Sequence, residues 1–253
     1  MKSALLLLGL LTLEDTNHLT SKAESQFDQG HALSLEDPEL AGKAFKDSAE
    51  LFTLLSTSAD IDQARVHYNA GNAWYYAGEL GHAIFHLRKA ERAAPMNITI
   101  RQNLAFARSQ TLDAFEEKSA DLTISRHLSI STTAWLFGLT HLAAWGLYAA
   151  RRFGKKGRGL YMITVLTILF GLLTFYQIMA TKFKNDGVIL AREVMPRMGN
   201  NDAYQPAFSM PLHAGTEFEL IEIRNDWIHA AFVTGDTGWL PANTVGLIDG
   251  PSR

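Results

Sequence analysis

The stretch GNAWYYAGELGHAIFHLRKAERAAP, Gly71 to Pro95, constrains the fold more than any other, because small and large residues recur in it at helical spacings. Gly71 and Ala83 are small where two antiparallel helices must cross closely. Trp74 and Leu87 supply bulk between them, and Ala90 leaves room for a following helix. Pro95 ends the second helix, since it cannot donate to the helical ladder. A helix pair of this kind cannot bury its apolar faces alone, so neighbouring pairs must stack on it.

The spacing resembles a tetratricopeptide repeat, whose period is about 34 residues. His67 stands where that signature usually has a tryptophan. MNITIRQNLAFARSQ, from Met96, resembles a following first helix. AESQFDQGHALS and LAGKAFKDSAELFTLLS resemble an earlier pair, with LEDPE inserted between them. Roughly two and a half repeats follow, near the minimum that stacks stably. The expected domain is all-α and covers 23–110. The resemblance implies a concave face, lined by first helices, that holds an extended peptide. By position Arg65, Tyr68, Asn72, Tyr75 and Tyr76 look into it. Asn72 offers an amide donor and acceptor to a peptide backbone. The tyrosines either supply binding area or pack between repeats. His82 and His86 are one turn apart on the second helix, but no third ligand is near and second helices face outward. No metal and no cofactor is therefore expected.

Two runs after the repeats, Leu128–Ala150 and Leu160–Ala180, contain no Asp, Glu, Lys or Arg. A helix needs about twenty residues to cross a ~30 Å hydrocarbon core, so both are long enough to span. They are read as a transmembrane hairpin over 128–150 and 160–180. Between them, at 151–159, Arg151, Arg152, Lys155, Lys156 and Arg158 form a basic turn. Short Lys/Arg-rich loops stay cytoplasmic. Both larger domains are then expected on the periplasmic side of a bacterial inner membrane, with lipid head groups as partners of the basic turn. MKSALLLLGLLTL at the start is too short to span and reads as a signal peptide or anchor over 1–22. His141, inside the first run, is read as a packing residue with Gln177 as its partner.

From Gly187 to Asp249 short alternating runs are broken by Gly, Pro and Asn. GVILA, EFELIEIR, WIHAAFV, TGWLP and VGLI are strand candidates, and RND and TGDTG are hairpin turns. A small all-β barrel is the natural solution for a segment this short. Gly215, Trp227, Gly238, Trp239 and Pro241 resemble a bacterial SH3-like domain, a binding module without chemistry of its own. The two tryptophans are expected in the core. Tyr204 and Phe208, in a loop, are the expected surface residues. Linkers at 111–127 and 181–186 complete the division.

A net charge of −3 argues against nucleic-acid binding, and the absence of cysteine removes disulfides and thiolate chemistry. No P-loop, zinc-protease helix or serine elbow is present, so an enzyme is not expected. The expected fold class is a multidomain membrane protein: tetratricopeptide repeats, a two-helix transmembrane hairpin and a small SH3-like barrel. That order resembles the BatE-like proteins of aerotolerance operons. The resemblance implies an envelope scaffold working with von Willebrand factor A-type membrane proteins and a MoxR-type ATPase. The alternative is a peptidoglycan-binding sensor whose SH3-like domain contacts the wall.

Overall fold

The computed structural model describes residues 13–58, 60–113, 130–152, 159–182 and 186–249. Five helices come first: α1 (Leu13–Leu33), α2 (Pro38–Leu55), α3 (Gln63–Tyr76), α4 (Leu80–Ala93) and α5 (Ile98–Arg108), each packed on the next. Local chemistry starts them. Asp37 accepts from Leu40 N ahead of Pro38, Asp62 from Ala64 N and Arg65 N, and Asn97 from Thr99 N and Ile100 N. Such caps satisfy amides the helix itself cannot. Gly78, at φ +80°, makes the turn between α3 and α4 in the left-handed region that favours glycine.

The close approach of α3 and α4 follows from the small residues. A Cβ on Gly71 would lie 2.7 Å from Leu87 Cγ, and Ala83 is fully buried. Ala49, Phe52, Leu55, Val66, Ala70 and Trp74 form the core between the first two helix pairs. The chain from Leu13 onward already belongs to this domain, with Leu19 packed on the core. The part of the expected signal segment before it, residues 1–12, lies outside the described residues, as do 114–127 of the expected linker.

The C-terminal segment forms a five-stranded antiparallel sheet in the order β6-β5-β4-β1-β7, and a two-stranded ribbon β2-β3. The strands are β1 (Asp186–Ile189), β2 (Glu193–Val194), β3 (Leu212–His213), β4 (Glu217–Arg224), β5 (Trp227–Ala231), β6 (Thr237–Pro241) and β7 (Val245–Leu247). β4 and β5 pair through the RND turn, where Asn225 adopts φ 53°. Ile189, Phe218, Ile228, Phe232, Leu240 and Val245 fill the interior. The five sequence-expected strands are all present, and the short ribbon was not foreseen.

Helices α1–α5 and the sheet domain form one compact unit; α6 (Ile130–Arg152) and α7 (Gly159–Lys182) pack on each other as a second. This corrects the expected fold class and location. Among the described residues no helix is long and apolar enough to cross a membrane, and the fold is a mixture of helices and antiparallel sheet. The transmembrane hairpin, and the inner-membrane placement with periplasmic domains that rested on it, are withdrawn. Absence of charge is a weaker condition than sustained apolarity. α6 carries Thr132, Thr133, Gly138, Thr140, His141 and Gly146 and ends on Arg151 and Arg152. α7 is interrupted by Thr164, Thr167, Gly171 and Thr174. Thr133 and Thr167 are buried, and Gly171 admits Phe137, whose ring would lie 3.1 Å from a Cβ there. His141 accepts from Trp145 Nε1 at 3.0 Å on its own helix. Arg151 and Arg152 are exposed, while Lys155, Lys156 and Arg158 lie outside the described residues.

Candidate functional site: the groove of the helical domain

Four of the five groove residues expected from sequence converge. Tyr68, Asn72, Tyr75 and Tyr76 of α3 line a cavity of about 330 Å³ with Phe27 and His31 of α1, Leu87 of α4, and Asn103, Phe106 and Ala107 of α5. Arg65 does not join them; it is exposed at the first turn of α3, outside this cavity. Helical geometry accounts for the set, since 68, 72, 75 and 76 recur at steps of three and four and so share one face. The opposite face of α3 carries Val66, Ala70, Ala73 and Trp74 into the core.

Asn103 is the organising residue that sequence reasoning missed. Its Nδ2 donates to Asn72 Oδ1 at 2.9 Å and to Tyr68 Oη at 3.1 Å. This leaves Asn72 Nδ2, Asn103 Oδ1 and the Tyr68 hydroxyl hydrogen without partners among the described residues, two donors and one acceptor facing an open trough. An extended peptide backbone presents the complementary groups. A signal did exist for one missed neighbour: Phe106 stands 34 residues after Asn72, one period of the expected repeat.

The tyrosines both pack and line. Tyr75 meets Phe106 with ring centroids 5.5 Å apart. Tyr76, half exposed, stacks on Phe45 at 5.1 Å and meets Phe27 and His31 edge-on at 5.7 and 4.7 Å. A second cavity of about 250 Å³ adjoins the first through Phe27 and Asn72, and is completed by Glu24, Asp28, Phe52 and Asn69.

The expectation that His82 and His86 face outward is corrected. His86 is fully buried, and its Nδ1 lies 2.9 Å from Nδ1 of buried His67. Thr53 Oγ1 donates to Ala49 O at 2.7 Å, accepts from Trp74 Nε1 at 3.1 Å, and sits 3.2 Å from His86 Nε2. With its one proton used, Thr53 must accept from His86 Nε2–H. His86 Nδ1 is then the bare nitrogen and accepts from His67 Nδ1–H, so the pair is satisfied when both rings are neutral. Burial lowers the His67 pKa to about 4, with the charge of Lys89 adding to it. Burial also lowers His86 well below 6.5, followed by His67, Lys89 and His82. His82 stacks on Trp74 with ring centroids 4.7 Å apart. Among the described residues no group of three or more His, Cys, Asp or Glu gathers as metal ligands would.

Away from the groove, α4 and α5 press on the sheet domain. A Cβ on Gly81 would come 2.5 Å from Ile189 O, and one on Gly246 would come 2.6 Å from the Phe85 ring. Arg88 pairs with Asp186 and with Glu91 at 2.8 Å; its Nε lies 3.0 Å from Glu217 Oε2, in ion-pair range though off the line of its N–H. Arg92 reaches Asp249 at 2.7 Å and Arg108 reaches Glu217 at 2.9 Å. Asp113 accepts from the His213 and Thr216 region through His213 N and Thr216 Oγ1, each at 2.6 Å. Burial alone would raise its pKa, but the Thr216 and His213 hydrogen bonds outweigh it and the value is lowered.

On the sheet domain, Tyr204 is about half exposed, over Gly199. Phe208 is not a surface residue: it is half-buried, edge-on to Phe232 at 5.4 Å. Trp239 is buried between the His229 ring, stacked at 4.7 Å, and the Arg224 guanidinium at 5.2 Å. No family model matches the chain, and no curated protein matches it at a significant level.

Proposed function

We propose that the chain is a non-catalytic scaffold whose helical domain, a tetratricopeptide repeat array, captures an extended peptide segment of a partner protein. The SH3-like sheet domain acts as its structural companion. The observation that supports this is the Tyr68–Asn103–Asn72 ladder, which leaves backbone-sized donors and an acceptor unsatisfied in a trough with aromatic walls. These groups are partly exposed, so water completes them in the free protein and a ligand backbone can take its place. By the BatE-like resemblance, the partner classes to test are von Willebrand factor A-type proteins and a MoxR-type ATPase.

A crosslinking pull-down comparing wild type with Asn72→Ala/Tyr75→Ala tests it. Recovery of such a partner by wild type and its loss in the double variant supports the reading. Identical catches with both proteins would remove the groove from the account.

A further inference from the structure

Resting on that reading, we propose that the groove selects peptides carrying a lysine or arginine beside an apolar residue, the cation seated at the Glu24–Asp28 end and the apolar side chain against Tyr75, Tyr76 and Phe106. The two cavities share Phe27 and Asn72, so they form one trough with unlike ends. One end is aromatic and carries no acid. At the other, Glu24 and Asp28 stand one turn apart on α1, both exposed. Neither is paired with a cation among the described residues, and no Lys or Arg lines either cavity. The contrast with α4 is instructive, because there every described arginine reaches a carboxylate.

Two adjacent unpaired carboxylates repel each other mildly, and a bound cation removes that repulsion. The wall beside them adds a second attraction. Phe27 and Phe52 line the acidic cavity, and an ammonium or guanidinium over an aromatic face gains beyond its ion pair. Asn69 and Asn72 carry carboxamides into the same cavity, where they can bind the peptide backbone around the cationic residue. An acidic peptide would meet the two carboxylates with no compensating cation. The charge of the trough therefore discriminates by repulsion as well as by attraction.

The test uses the full chain and a positional-scanning library of N-acetylated octapeptides, read by affinity selection at low and high salt. Fluorescence anisotropy then compares an enriched arginine peptide with its citrulline counterpart, which keeps the shape and loses the charge. We expect enrichment of Lys and Arg at one position and an apolar residue at a neighbouring one. Citrulline should weaken binding about tenfold at low salt, as a cation between two exposed carboxylates and a ring implies. Glu24→Gln/Asp28→Asn should abolish that difference while still binding the citrulline peptide. Arg65→Ala, outside both cavities, should bind as wild type. Enrichment without a basic preference, or a preference surviving in Glu24→Gln/Asp28→Asn, overturns the proposal and leaves the groove reading standing. If no peptide is enriched by a folded protein, both fall together.

Discussion

The helical domain has two working faces, and they treat polar groups in opposite ways. Where α4 and α5 meet the sheet domain, the charges are paired: Arg88, Arg92 and Arg108 all reach carboxylates, and Asp113 is enclosed by His213 and Thr216. In the groove, built by α1, α3 and α5, amide and hydroxyl groups are half used and the acids at one end have no cation partner among the described residues. A joint gains by pairing the groups it desolvates, because an unpaired buried one costs about 1–3 kcal/mol; at Arg88 Nε the nearby Glu217 carboxylate offsets that cost without a hydrogen bond. A site that awaits a ligand leaves some of its valence open. On the proposed reading, one face is structural and the other is the face that recognises a ligand.

The strongest way to break this division is acid, because His67 lies on α3 and His86 on α4, between the two faces. Their folded pKa values are lowered, so the unfolded chain binds more protons below pH 6.5. Stability should be full above pH 6.5 and fall as the pH drops towards 4. The loss should reach up to about 3 kcal/mol for His67 alone. Thermal unfolding across that range measures it, and His67→Phe should remove the His67 share of the slope while buried His86 keeps the rest. An unchanged melting temperature from pH 7 to 4.5 would contradict the buried neutral pair.

Gly81→Val attacks the joint alone. The new side chain would meet Ile189 O and the Leu190 backbone, which cannot retreat as a flexible side chain can. Overpacking of this kind costs about 1–3 kcal/mol. Gly42→Val, with open space around it but in mid-helix, serves as the control for propensity. Asp113→Ala should follow at about 2 kcal/mol, since it strands His213 N and the Thr216 hydroxyl. Asp113→Asn should recover part of that loss, because its carbonyl oxygen can still accept one of the bonds. Chemical denaturation curves rank the four variants.

The smallest effect on stability belongs to the groove. Asn72→Ala should change folding free energy by less than about 0.5 kcal/mol, as expected for a partly solvated polar group away from the core. It should nonetheless lower peptide binding about tenfold, the worth of a charge-free amide clamp within the ~1 ± 0.5 kcal/mol range of single hydrogen bonds acting in pairs. A large stability loss with unchanged binding would reverse the roles of the two faces.

Much of this could be read locally. Gly71, Ala83, Leu87 and Ala90 announce two helices that cross closely, because that demand acts on neighbours in sequence. The caps at Asp37, Asp62 and Asn97 are likewise set within a few residues of the bonds they make. Alternation and turn residues located the five strands of the main sheet. The groove face of α3 followed from period alone, and Arg65 failed because position on a period does not say how far the cavity extends. The two charge-free runs misled for a different reason. A run without charges does not by itself make a span, and among the described residues neither helix is long and apolar enough to cross a membrane.

The sequence by itself determined the helical hairpins, the strand segments and the aromatic face of α3, since helix and strand periods and the close contacts within a hairpin are short-range properties. Only the tertiary structure decided that Asn103 would bridge Tyr68 and Asn72, that His67 would meet His86, and that Arg88 would reach Asp186. Those pairs are 35, 31, 19 and 98 residues apart. Their geometry is fixed by how whole elements stack, and no local rule of spacing or propensity carries that information.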